Sequence, residues 1–86
     1  MTLIDILNSF YDRLPEEIQD SNSYRQMSTC AASMGQHDLA KGLYEISNDE
    51  FTHARFLYKH LCAAGIAIPQ DVQDSYEHLK ELIKNT

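Results

Sequence analysis

Apolar residues along the chain recur at alternating steps of three and four, the spacing of one face of an α-helix. The longest such stripe is also the oddest. It runs through Leu39, Leu43, Ile46, Glu50, His53, Leu57 and His60, keeping its period while its centre holds a glutamate and a histidine. A carboxylate on a buried face is costly unless solvent, another side chain or a metal pairs with it. The preceding segment repeats the arrangement: Glu17, Asp20, Tyr24, Met27, Ala31 and Met34 alternate in the same way, with the polar members at one end. Shorter stripes occupy the two ends of the chain. Leu3, Ile6, Leu7, Phe10 and Leu14 form the first, and Tyr76, Leu79, Leu82 and Ile83 the last.

Three glycines, two prolines and almost no β-branched runs make this an all-α sequence, and the breakers divide it. Thr2 is expected to cap a short helix over about Leu3 to Arg13. Pro15, followed by Glu16 and Glu17, suits the start of a second helix that runs to Met34 and stops at Gly35. Asp38 is expected to cap a third helix ending near Gly65, and Pro69 with Asp71 to open a last one through Lys84. The second and third helices, joined by "MGQHD", pack as an antiparallel hairpin over about 15–65, one domain with short flanking N- and C-terminal helices. With the turn centred near residue 36, Glu50 lies opposite residue 22. Glu17 and Asp20 are both within one to two turns of that level, and counting leaves the choice between them open.

At 86 residues the chain is a single small domain, in the range where oligomerisation often supplies stability. A formal charge of -6 argues against nucleic acid or an anionic membrane as partner and is compatible with attracting cations. No apolar run approaches the roughly 20 residues of a membrane span, and the start reads as no signal peptide, so a cytoplasmic location is expected. Cys30 and Cys62 fit no zinc spacing and are expected to be reduced core residues. No phosphate loop, nucleophile motif or internal repeat is present.

Glu50 and His53, at i and i+3, project from one helical face, so a carboxylate oxygen and an imidazole nitrogen can reach one ion. This E-x-x-H element builds carboxylate-bridged two-metal sites in four-helix bundles. The segment "EIQDSNSYRQMSTCAASMGQHDLAKGLYEISNDEFTHARFLYKHL" resembles the first hairpin of the rubrerythrin and ferritin-like superfamily. That pattern is a Glu, a Tyr seven residues on, a small-residue stretch with a Gly turn, then D/N-E-x-x-H-A. Here Glu17 precedes Tyr24 by seven residues and Glu50 by 33, and the match covers about 45 of 86 residues. The resemblance implies Glu17, Glu50 and His53 as metal ligands, with Glu50 bridging, Tyr24 beside the site as a hydrogen-bond partner, and Asp49 accepting from a ligating histidine of a neighbouring hairpin. Asp20 could replace or assist Glu17. His60 is a possible accessory ligand, weighed against a hydrogen-bonded interior or interfacial histidine.

A ferritin-like subunit contains two such hairpins and this chain contains one. Near the end, Glu77 stands beside His78, which is the wrong spacing. Two chains about a two-fold axis would offer four carboxylates and two histidines, so the expected active unit is a homodimer, or a higher homo-oligomer, forming a ferritin-like four-helix bundle. Half-length chains of this kind are similar to the encapsulated ferritins. The expected function is ferroxidase chemistry at two irons per dimer, with manganese or zinc as other candidate ions. A rubrerythrin-like peroxide reductase fed by an external electron donor is the enzymatic alternative. A metal-free helical interaction module is the alternative of another class. The larger assembly, including any encapsulating shell, is left open.

Overall fold

The first third of the chain forms one helix where the proline suggested two. The computed structural model describes residues 1–84, and in it α1 spans Leu3–Ser33, α2 His37–Ala63 and α3 Gln70–Lys84. Among the described residues there is no strand, so the all-helical expectation holds. The separate N-terminal helix does not exist. Pro15 lies inside α1 and is exposed, and its ring nitrogen has no hydrogen to offer the Tyr11 carbonyl. The helix survives this loss because Leu14 and Ile18, on either side of Pro15, are buried in the core. Packing of that face outweighs one missing backbone bond.

Thr2 caps α1 as expected. The Asp5 amide donates to Thr2 Oγ1 at 3.2 Å and the Thr2 amide donates to Asp5 Oδ2 at 2.9 Å, a reciprocal capping box. Gly35 stops the helix at φ +77°, with the Gln36 amide reaching back to the Ala31 carbonyl and the Gly35 amide to that of Ala32. Gly65, at φ +74°, closes α2 in the same way onto Leu61 and Cys62. Both are left-handed closures that a Cβ would disfavour. Asp38 is not the cap of α2. Gln36 holds that position without a side-chain bond, and Asp38 sits inside the first turn, where its charge meets the positive end of the helix.

Helices α1 and α2 pack closely along their lengths as the expected antiparallel hairpin. The faces in contact are rotated from the expected stripes. On α2 the buried residues are Ala40, Ser47, Phe51, Ala54, Leu57 and Leu61, while Leu39, Ile46, His53 and His60 are exposed. On α1 they are Leu14, Ile18, Ser21, Ser28 and Ala31, while Asp20, Met27 and Met34 are exposed. Three serines bury themselves by hydrogen-bonding across the seam, Ser21 with Ser47, and Ser28 Oγ to the Ala40 carbonyl at 2.6 Å. A hydropathy stripe has no way to register that satisfaction.

The third helix lies over the side of the hairpin carrying Ile18, Phe51 and Tyr58. Tyr76 stacks on Tyr58 with centroids 4.2 Å apart and on Phe51 at 5.6 Å, and with Leu79 and Ile68 it completes the apolar core. Cys30 and Cys62 are free thiols and, contrary to expectation, both are exposed. Ala31 and Leu61, their chain neighbours, take the inward positions. The molecule measures 47 × 25 × 16 Å, and its radius of gyration, 14.4 Å, exceeds the about 12 Å of a compact domain this long. Its long dimension is that of α1. Among the described residues no helix is long and apolar enough to cross a membrane.

Candidate metal centre

The opposite side of the hairpin is uncovered, and the acidic motif sits halfway along it. Glu17 lies near the middle of α1 and Glu50 at the middle of α2. Ser21 meets Ser47 and Ser28 meets Ala40, which places residue 18 opposite Glu50. The pivot of the hairpin is therefore near residue 34, not 36. The cause is the closure at Gly35: the Gly35 and Gln36 amides fold back onto α1, so α2 starts beside the last turn of α1. That displacement of about one helical turn brings Glu17 level with Glu50 and leaves Asp20 outside the cluster.

Glu17, Glu50 and His53 each offer one ligand atom, and these atoms lie within 4.8 Å of one another. The His53 Nδ1 stands 3.7 Å from Glu17 Oε2, an ion-pair separation too long for a hydrogen bond. Glu17 Oε2 is buried and has no hydrogen-bond partner. Glu50 and His53 are half-buried and exposed respectively, so the cluster opens to the uncovered face. The Glu50 carboxyl is pushed up to about 7, first because it hydrogen-bonds the Glu17 carboxyl, then by burial and by the Glu17 charge, against a smaller opposite pull from His53. The raised pKa means that without a metal the Glu50 carboxyl keeps its proton beside Glu17 toward neutral pH. The three side chains could hold a divalent cation, which would replace the proton on Glu50, meet oxygen and nitrogen donors together, and give the Glu17 oxygen a partner.

Beside the cluster runs a groove of about 400 Å³, walled by Ile6, Phe10 and Leu57, with Arg13, Glu17 and His53 along it. Arg13 donates from Nε to Ser9 Oγ at 3.2 Å. Tyr24 is half-buried on the Glu17 face, two turns along. Asp49 is exposed. His60 is neither interior nor part of the cluster: it is exposed, its ring 4.5 Å from that of Phe56, which in turn meets Phe10 edge-on at 5.9 Å. The groove and the serine seam both escaped sequence reasoning. A signal for the seam existed in the seven-residue repeat of Ser21 and Ser28, and of Ala40, Ser47, Ala54 and Leu61, which is the spacing of close helix contact. Compared with known protein families, curated proteins and solved structures, the chain matches none.

Proposed function

We propose that the chain is a ferritin-like half-bundle whose two-fold pairing completes a ferroxidase site. The observation that carries this reading is the convergence of Glu17, Glu50 and His53 around a buried carboxylate oxygen without a hydrogen-bond partner. Its position supports the pairing. Because the cluster lies midway along both helices, a two-fold axis through it and perpendicular to them would overlap two hairpins over their full length. Four carboxylates and two histidines would then face two cations.

The uncovered face has the character of an interface. Leu39 and Ile46 are exposed on the helical stripe of His53, Ile6 lines the groove beside Glu17 and His53, and Phe56 is exposed against Phe10, while Leu3, Met27 and Met34 are further exposed apolar residues of α1 and its end. The chain exposes 5844 Å², about 600 Å² more than a folded monomer of its mass, which is the order of area one partner contributes to a stable dimer. Closing that face would exclude water from the carboxylates and strengthen their hold on a cation.

Ferrous iron is the substrate in this reading. Two Fe²⁺ each give up one electron, and dioxygen takes both with two protons and leaves as hydrogen peroxide. Glu17, Glu50 and His53 would hold the iron, with Glu50 the carboxylate to be shared between the two ions, and Tyr24, half-buried two turns from Glu17, is the hydrogen-bonding residue that the ferritin-like pattern adds. Asp49 would orient a ligating histidine of the second copy.

Anaerobic titration with ferrous iron, followed by air, tests the proposal. The expected result is about one iron per chain, in line with the two-metal complement of a paired bundle, and loss of chelatable ferrous iron once oxygen enters. Peroxide consuming the ferrous form faster than oxygen would favour the peroxide reductase instead. Binding no stronger than that of the Glu50→Ala, His53→Ala double variant sinks the metal reading and leaves the metal-free interaction module, for which the exposed apolar stripe is the support.

A further inference from the structure

Close to Glu17 and Glu50, two side chains outside the cluster tie α1 to α2. Ser21 and Ser47 are each 0% exposed and clasp the two helices reciprocally. Ser21 Oγ donates to the Ser47 carbonyl at 2.8 Å, Ser47 Oγ donates to the Ser21 carbonyl at 2.7 Å, and the two hydroxyl oxygens are 3.3 Å apart. A serine inside a helix ordinarily bonds a carbonyl of its own preceding turn. Both of these reach across, so each hydroxyl reads the position of the opposite backbone.

Glu17 lies four residues before Ser21 and Glu50 three residues after Ser47, which puts both carboxylates within about one turn of the clasp. On the other side of the carboxylates Leu14 and Ala54, 1% and 0% exposed, close the seam. The ligand pair is thus bracketed between a hydrogen-bonded contact and a packed one. Packing alone limits how close the helices come. The hydroxyl bonds, being directional, also fix how far one can slide along the other, as does Arg25 Nη2 donating to Asn48 Oδ1 at 2.9 Å on the far side of the clasp, and sliding is what would change the Glu17–Glu50 distance.

We infer that the Ser21–Ser47 clasp is a positioning device that sets ligand spacing and thereby which divalent ion the site prefers by size. The inference deepens the metal reading and rests on it. Ions differ in the metal–oxygen distance they require, and carboxylates held at one spacing discriminate between them, whereas carboxylates on sliding helices adapt to either.

The test is calorimetric titration of metal-free protein with Zn²⁺ and with the larger Mn²⁺, comparing wild type, the Ser21→Ala, Ser47→Ala double variant and Ser28→Ala. Removing both hydroxyls leaves the helix carbonyls in their own bonds, so the double variant should keep its helical circular dichroism and melt within about 10 °C of wild type. Its ratio of Zn²⁺ to Mn²⁺ affinity should nonetheless move toward unity by about tenfold, the scale on which supporting groups act on a metal. Ser28→Ala removes a comparable cross-seam bond, to the Ala40 carbonyl, three turns from the ligands. It should leave the ratio unchanged. A double variant with the wild-type ratio, or a Ser28→Ala ratio that shifts as much, overturns the positioning role while leaving the metal reading intact. Wild type that binds neither ion takes both down.

Discussion

The acidity of Glu50 is shifted by its neighbours, and the shift makes a sign-definite prediction. Its carboxyl is raised from 4.5 to about 7 in the folded chain, chiefly by the hydrogen bond with Glu17. The folded state therefore holds a proton that the unfolded state releases. Stability from this group is fully present below about 4.5 and is lost as pH rises through about 7. In metal-free protein the urea midpoint of wild type should fall between pH 5 and pH 8 relative to that of Glu50→Gln, which keeps a hydrogen-bonding side chain without titrating. An identical pH dependence in the two would show that Glu50 carries no such proton. Added divalent cation should reverse the wild-type trend, because it competes with that proton and binds better as pH rises. The local half of this site was legible early. Glu50 and His53 share a face because three residues make most of a helical turn, and no tertiary contact is needed for that.

Among the elements, α1 departs furthest from expectation. Its Pro15 is tolerated rather than required, so Pro15→Ala should restore a backbone bond to Tyr11 and raise stability by about 1–3 kcal/mol, read from chemical denaturation. A drop would mean that the proline stabilises by restricting the unfolded chain. In α2 the completely buried Leu61 joins Leu14, Ile68 and Leu79 in the core. Leu61→Ala should cost about 2–5 kcal/mol, whereas Leu39→Ala, on the open face, should change the stability of the single chain little. The contrast checks the rotated seam directly, since the sequence stripe assigned Leu39 to the buried face. That stripe was displaced because serine scores as polar wherever it stands, and three serines here are interior.

For the whole molecule the uncovered face is where the proposed pairing is tested. If a second copy meets it, light scattering should detect a dimer whose population rises with added metal. Ile46→Glu should hold the chain as a monomer with unchanged helical content, because Ile46 contributes to the exposed stripe and not to the core. A monomer that binds a full complement of metal would contradict a site shared between copies. The acidic excess bears on the same point. Two chains of charge -6 repel one another, and cations held between their carboxylates would offset part of that repulsion where it is greatest.

The amino-acid order alone determined the features that depend on neighbours within a turn or two. These are the helical period, the stops at Gly35 and Gly65, the cap at Thr2, and the shared face of Glu50 and His53. Tertiary structure decided what depends on distant pairs. It joined the first two expected helices through Pro15, because burial on either side outweighs a missing hydrogen bond. It moved the pivot of the hairpin by two residues, because the Gly35 closure folds back on its own helix. That shift selects Glu17 over Asp20. It also turned the serines inward, since a hydroxyl is worth burying only when an opposing carbonyl is there to accept from it, and which carbonyl that is depends on the packing of α1 against α2.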